Sequence, residues 1–214
     1  MYGILKTTGI CPIMVAPETD FAADAAHALA EGGLPVCEVL LHRDEHSLDR
    51  IRSIALNAPE VIVGAGSVIS IRDANEAIDA GAKFFVAPGL VPEVVEFALK
   101  NNMPILPGCV TASDISIALN YGINILKFFP VYQFGGADTL AQYHGGPFGK
   151  VEWVVTGGLN GKNFLPFATI SYVLASGGDW MFAENSAAAN KDYDLIVKNT
   201  RRTINDVLEA RRVK

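Results

Sequence analysis

The sequence predicts an α/β fold, a (β/α)8 TIM barrel with a closed parallel sheet. Short apolar runs alternate with amphipathic helical patterns eight times in about 200 residues, which is typical of parallel strands joined by crossover helices. The apolar runs are nearly continuous in Val, Ile and Leu, as expected for strands that are buried on both faces. Periodicity does not reveal closure, so an open, doubly wound sheet remains the alternative.

The predicted strands, in chain order, are Cys11–Ala16, Val36–Leu41, Val61–Gly64, Lys83–Ala87, Pro104–Leu106, Ile123–Phe128, Val151–Val155 and Tyr172–Ala175. The predicted helices are Phe21–Glu31, Leu48–Ala58, Ile71–Ala80, Pro92–Asn101, Ala112–Tyr121, Ala137–Tyr143, Asn160–Phe167 and Tyr193–Arg212. Helix punctuation agrees with this division, because Thr111 with Asp114 resembles an N-cap with an acidic first turn. Gly81 and Gly122 lie where a C-terminal glycine is expected.

The composition indicates a single domain over residues 1–214. Half of the residues are apolar, and no Pro/Gly/Ser-rich linker divides the chain. The net charge is −6 without a run of like charge, so neither nucleic acid nor an anionic membrane surface is an expected partner. No apolar run approaches the roughly 20 residues that span a bilayer. The N-terminus lacks a signal-peptide pattern, and we expect a soluble, cytoplasmic protein.

Cysteine and histidine spacing gives no sign of a metal site. The three cysteines lie far apart without a CxxC pair, which is typical of reduced, structural thiols in a cytosolic protein. Cys109 follows Pro107-Gly108 at a predicted strand end, so a reactive thiol is an alternative there.

Lys127 is the first candidate catalytic residue. It stands in the apolar frame Asn124–Pro130 with no charge partner beside it in sequence. Burial disfavours an ammonium group, and a neutral lysine amine is a nucleophile that forms a Schiff base with a carbonyl carbon. The alternative is a lysine whose stem reaches along the strand end to water.

Glu38 is the second candidate, because the run Leu34–Leu41 is too apolar to suit a solvated carboxylate. Buried carboxylates are uncommon unless they are paired, and a buried one is suited to moving protons. A structural ion pair is the alternative. If Glu38 and Lys127 point into one cavity, an amine and a proton carrier are together, which is the minimum for Schiff-base aldol chemistry.

Glycine pairs supply candidate anion sites. In a (β/α)8 barrel the functional residues gather at the carboxyl ends of the strands, and phosphate often binds after strands seven and eight. Thr156-Gly157-Gly158 and Ser176-Gly177-Gly178-Asp179 lie at those two positions. A single Gly-Gly pair often only permits a tight turn, so the two pairs together carry this prediction.

Several short segments, most of them near predicted strand ends, are informative through their order and spacing along the chain. They are Glu38-Val39, Gly64-Ala65-Gly66-Ser67, Pro88-Gly89-Leu90, Pro107-Gly108, Lys127-Phe128-Phe129-Pro130, Gly146-Pro147-Phe148, Thr156-Gly157-Gly158 and Gly177-Gly178-Asp179-Trp180. With these segments the chain resembles the KDPG/KHG aldolase family over nearly its whole length. That family consists of class I pyruvate aldolases.

The resemblance implies a (β/α)8 barrel, usually a homotrimer, without a metal or organic cofactor. It implies cleavage of a 2-keto-4-hydroxy acid to pyruvate and an aldehyde, with 2-keto-3-deoxy-6-phosphogluconate or 4-hydroxy-2-oxoglutarate as the substrate. Lys127 would be the Schiff-base lysine and Glu38 the general acid and base. The implied substrate-binding residues begin with Ser67, which helps hold the pyruvyl carboxylate. Thr156, Gly157 and Gly158 would line the site and help bind the distal phosphate, and Pro88 and Gly178 complete the set.

Two positions depart from the family pattern. His42, followed by Arg43, stands where these enzymes commonly carry an arginine for the substrate carboxylate, so His42 or Arg43 would have to take that role. Asp179 stands where they commonly carry a serine that contacts phosphate, and a carboxylate repels a phosphate dianion. An unphosphorylated sugar acid is therefore an alternative substrate.

Two alternatives belong to other classes of protein. The first is a non-catalytic barrel that binds a small anion or serves as a scaffold. The second is a barrel isomerase that uses the anion site without a Schiff base. Insensitivity to borohydride would favour either of them over an aldolase.

Overall fold

The computed structural model describes residues 1–212; Val213 and Lys214, which end the predicted domain, lie outside the described residues. Eight strands alternate with helices along this part of the chain. The strands are β1 (Ile10–Pro12), β2 (Val36–Leu40), β3 (Ile62–Gly66), β4 (Phe85–Val86), β5 (Ile105–Leu106), β6 (Ile125–Phe128), β7 (Glu152–Thr156) and β8 (Val173–Gly178). The helices are α1 (Tyr2–Thr8), α2 (Thr19–Glu31), α3 (Ser47–Asn57), α4 (Ile71–Asp79), α5 (Pro92–Lys100), α6 (Ala112–Asn120), α7 (Gly136–Gly145), α8 (Leu165–Ala168), α9 (Trp180–Ala183) and α10 (Tyr193–Arg212).

The strands form two parallel four-stranded sheets, in the orders β1-β8-β7-β6 and β2-β3-β4-β5. Two single parallel bridges join the sheets, Ile13 with Glu38 on one side and Gly108 with Lys127 on the other. Because both edges are joined, the sheet is closed, which confirms the (β/α)8 barrel and excludes the open doubly wound sheet. The carboxyl ends of all eight strands therefore meet at one mouth.

The predicted elements are present, but several of their bounds are wrong. Strand β1 begins one residue earlier and ends four residues earlier than predicted, and α8 keeps only the last part of the predicted helix Asn160–Phe167. Asn160 and Asn163 accept hydrogen bonds from nearby backbone amides, and such local bonds compete with a helix. Helices α1 and α9 were not predicted.

Strands β3 and β8 both continue beyond their predicted ends, and each contains a glycine that a side chain could not replace. A Cβ atom on Gly64 in β3 would lie 2.3 Å from the Phe84 ring, and one on Gly177 in β8 would lie 2.6 Å from Thr156 Cγ2. Only hydrogen fits at these positions, so the glycines serve close packing between strands and not a turn.

The three cysteines are free and buried. Burial raises the pKa of the Cys37 thiol and of the Cys109 thiol to about 12, so neither is a thiolate near neutral pH. Cys109 is therefore not the reactive thiol of the alternative interpretation. Separately, no helix among residues 1–212 combines the length and apolarity that a bilayer crossing requires.

Gly64→Ala tests the packing of Phe84 inside the barrel. The added methyl group meets buried ring atoms, and overpacking of this kind lowers the free energy of unfolding by about 1–3 kcal/mol. Gly3→Ala is the matched control, because nothing lies within 4 Å of a Cβ at Gly3 and alanine favours a helix. Guanidinium denaturation measures both, and equal midpoints for Gly64→Ala and wild type would contradict the packing.

Candidate active site

Lys127 lies on β6 at one junction of the two sheets. Its amide donates to the carbonyl of Pro107, and its carbonyl accepts from the amide of Cys109, both at 2.9 Å. Successive strand residues face opposite sides, so Phe128 packs outward, edge-on to Trp153, while Lys127 points into the barrel. The Lys127 side chain is only 7% exposed, so it does not extend into water as the alternative reading required.

Glu38 enters the same interior from β2, at the opposite junction. It is fully buried, and its Oε1 lies 3.5 Å from Lys127 Nζ. Neither carboxylate oxygen has a hydrogen-bond partner among the described residues, so the contact is an ion pair without hydrogen-bond geometry. A Cβ on Gly66 would lie 2.2 Å from Glu38 Oε1, which explains why β3 carries glycine opposite the carboxylate. An amine and an uncommitted carboxylate can exchange a proton here.

A pocket of about 220 Å³ opens above Lys127 at the mouth of the barrel. Its walls come from the carboxyl ends of the strands, where the sequence placed the function. The predicted site residues that line it are Ser67, Pro88, Lys127, Thr156, Gly157, Gly158, Gly178 and Asp179. The structure thus brings most of the predicted set around one cavity.

Two hydroxyl side chains border this pocket. Thr156 Oγ1 is buried and has no hydrogen-bond partner among the described residues, so it is available to a bound molecule. Ser67, the residue after β3, has a φ of 61°, a left-handed conformation that serine rarely adopts. Local strain of this kind clusters at binding sites, and here it belongs to a residue that lines the pocket.

The turn after β7 presents backbone amides to the same cavity. Gly157 and Gly158 have φ values of 97° and 75°, and their amides have no acceptor in the part of the chain that the structure describes. A Cβ on Gly157 would lie 2.8 Å from Pro130 Cα. Two glycines are therefore needed for the turn, which leaves two free N–H donors at the pocket.

His42 and Arg43 lie outside the lining of the Lys127 pocket. His42 borders a separate depression between α3, α4 and the segments that follow β2 and β3, and its Nε2 is 3.3 Å from Asp73 Oδ2. Burial alone would raise the pKa of Asp73, but hydrogen bonds from the Ile69 amide, Ser70 and His42 hold it below its usual value. Arg43 is exposed and has no ion pair with residues 1–212.

Several lining residues were not among the predicted site residues. Phe129 is 37% exposed, and its ring centroid lies 5.3 Å from Lys127 Nζ. Its position two residues after Lys127, on the same face of an extended chain, was the available signal in the sequence. The others are Ile13, Leu40, Leu159 and Gly177. These apolar side chains keep water from the amine.

Within the described chain, no cluster of three His, Cys, Asp or Glu residues is placed to hold a metal ion.

Comparison with known proteins gives one consistent answer. The chain is 37% identical over 201 residues to the KHG/KDPG aldolase of Escherichia coli K12, covering 94% of this chain and 93% of that protein. It is 35% identical to the 2-dehydro-3-deoxy-phosphogluconate aldolase of Dickeya dadantii, with the same coverage.

Solved structures agree. The KDPG aldolase of Legionella pneumophila, with pyruvate captured as a covalent carbinolamine intermediate, superposes with a TM-score of 0.87 at 30% identity, covering 94% of this chain and 97% of that one. The family model described as KDPG and KHG aldolase matches residues 1–199. The chain therefore belongs to the KDPG and KHG aldolase family.

Proposed function

We propose that this protein, a single-domain barrel, is a class I aldolase that cleaves a 2-keto-4-hydroxy acid to pyruvate and an aldehyde through a Schiff base on Lys127. The buried pair carries this proposal, because Lys127 Nζ lies 3.5 Å from Glu38 Oε1 beside the pocket at the barrel mouth. The similar Legionella enzyme, with its covalent pyruvate carbinolamine, supports it. The candidate substrates are 2-keto-3-deoxy-6-phosphogluconate, 4-hydroxy-2-oxoglutarate or an unphosphorylated sugar acid.

The reaction begins with a proton transfer from Lys127 to Glu38, which leaves a neutral amine and a protonated carboxyl group. The amine attacks the C2 ketone of the substrate. Glu38 then donates its proton to the carbinolamine hydroxyl, and water leaves to give a protonated imine. Since the imine is itself the electron sink, this chemistry calls for no metal or organic cofactor.

Cleavage uses the same carboxylate in the opposite direction. Glu38 accepts the proton of the C4 hydroxyl, the C3–C4 bond breaks, and its electrons move into the imine to form an enamine and a free aldehyde. Glu38 then returns the proton to C3, and hydrolysis of the imine frees pyruvate. Because both of its oxygens are unpartnered, Glu38 can serve each step without first losing a hydrogen bond.

The lining residues are proposed to orient the substrate. Ser67 and Thr156 offer hydroxyl groups to the keto-acid end, and the free amides of Gly157 and Gly158 bind the far end. Pro88 and Gly178 shape the walls. A role for His42 or Arg43 in binding the carboxylate would require a loop movement, because neither lines the Lys127 pocket.

A cytoplasmic location is also a proposal. It is supported by three buried cysteines that are all free thiols, as expected in a reducing compartment.

Lys127→Arg tests the nucleophile while keeping a positive charge beside Glu38. Guanidinium does not form an imine, so we expect turnover to fall to background and borohydride with pyruvate to add no mass. Lys127→Met is a less useful variant, because an unpaired buried Glu38 would destabilise the fold by about 3–5 kcal/mol. Intact and peptide mass spectrometry locate the wild-type adduct, and an adduct on another lysine would contradict the assignment.

Glu38→Gln separates proton transfer from imine formation. The variant retains the amine and should still trap pyruvate, although more slowly, because imine formation also uses Glu38, while the rate of cleavage falls about 10²- to 10⁴-fold. Single-turnover kinetics together with borohydride trapping measure the two steps. Glu209→Gln, on an exposed position of α10, is the control and should match wild type. Wild-type cleavage by Glu38→Gln would exclude the carboxylate from the chemistry.

A homotrimer is the proposed assembly, as the family resemblance implies. Tyr132 and Phe134, on the turn after β6, are 46% and 43% exposed and supply apolar surface that an interface would bury. Sedimentation equilibrium should give about three times the 22.9 kDa of the chain, because a closed oligomer has a mass that is a whole multiple of the mass of one chain. A stable monomer at micromolar concentration would contradict the trimer.

A further inference from the structure

Asp179 lies at the outer end of the Lys127 pocket. Lys127 is in register with Val154, and Val154 with Ala175. Asp179 follows four residues beyond Ala175, just after β8 ends. Since a strand rises about 3.3 Å per residue, the aspartate stands well above the lysine layer, toward the mouth. A substrate held at C2 by Lys127 would extend its far end toward this outer part of the pocket, which Asp179 helps to line.

The backbone of Asp179 is fixed on both sides. A Cβ on Gly178 would lie 2.3 Å from the Trp180 ring, so Trp180 packs directly against the end of β8. Trp180 is itself buried, stacks on Phe164 and donates from Nε1 to Thr203 Oγ1 at 3.1 Å. The backbone of Asp179 therefore cannot move away from the pocket wall without disturbing these contacts.

The carboxylate of Asp179 is uncommitted. It has no hydrogen bond or ion pair with the described residues. The free amides of Gly157 and Gly158 line the same pocket. The outer end therefore offers donors and an acceptor together. A hydroxyl group satisfies both because it donates and accepts, whereas a phosphate dianion or a carboxylate only accepts.

Charge points to the same ligand. Among the described residues that line the pocket, Lys127 is the only cation, and it is paired with Glu38. Lys162 lines only the adjoining depression, which Asp179 borders together with Glu184. A dianion at the outer end would thus meet the negative charge of Asp179, and the described lining offers it no cation other than Lys127.

We propose that Asp179 selects substrates whose far end is a neutral, hydroxyl-bearing carbon chain, so that the physiological substrate is an unphosphorylated 2-keto-4-hydroxy sugar acid. In the direction of synthesis, the acceptor is then an uncharged hydroxyaldehyde. This inference rests on the proposed aldolase activity and adds the chemical class of the aldehyde half.

The test compares acceptor aldehydes with pyruvate as the donor. D-glyceraldehyde, D-glyceraldehyde 3-phosphate and glyoxylate are the probes, and kcat/KM is measured for each. We expect wild type to favour glyceraldehyde over its phosphate by at least about 10-fold, and Asp179→Ser to shift this ratio toward the phosphate by about 10- to 100-fold, because one like-charge contact is removed. Asp179→Asn keeps the size of the side chain and should shift the ratio in the same direction.

Asp79→Ser is the control, because it removes the same charge from the exposed end of α4 and should leave the ratio unchanged. A wild-type preference for glyceraldehyde 3-phosphate or glyoxylate would overturn the inference, as would an unchanged ratio in both Asp179 variants. Borohydride trapping of pyruvate on the same wild-type preparation distinguishes failure of the Asp179 proposal from failure of the proposed aldolase activity. An adduct on Lys127 with the wrong aldehyde preference rejects only the role of Asp179, whereas no adduct rejects the aldolase itself.

Discussion

The ion pair between Lys127 and Glu38 is the interaction around which the rest of the barrel is arranged. Two charged groups in a dry interior are costly, and replacing such a pair with apolar residues often stabilises a protein. This pair is held at 3.5 Å, and neither oxygen of the carboxylate has a hydrogen bond. A purely structural pair would be expected to satisfy its remaining lone pairs. Carboxylate lone pairs that no protein group occupies are what a proton-transfer site requires.

Small residues give this pair its space. Gly66 lies against the Glu38 carboxylate and Gly64 against the Phe84 ring, and a methyl group at either position would overlap its neighbour. At the mouth, Gly178 admits the Trp180 ring in the same way. The glycines of β3 and β8 therefore keep extended backbone and act by leaving volume, whereas Gly157 and Gly158 act through positive φ.

Much of the architecture could be predicted from the sequence, because eight apolar runs and eight helical patterns leave few topologies. Lys127 and Glu38 stood out because a charge in an apolar strand must be buried or functional. Gly177 could not be placed inside its strand, since the need for a missing side chain there depends on Thr156, which is distant in sequence. The sequence also could not predict that the His42 side chain points away from the Lys127 pocket. His42 follows the turn at Leu41, where the alternation of the strand no longer governs side-chain orientation.

The two bridges that close the barrel have a mechanical consequence. One of them is made by the backbone of Glu38 and the other by that of Lys127. Each four-stranded sheet is therefore half of the barrel, and each half carries one residue of the Lys127–Glu38 pair. A small slip between the half-barrels would change the distance between the amine and the carboxylate while leaving the ladder of each half intact. The distance between Lys127 Nζ and Glu38 Oε1 therefore depends on the relative position of the two four-stranded sheets.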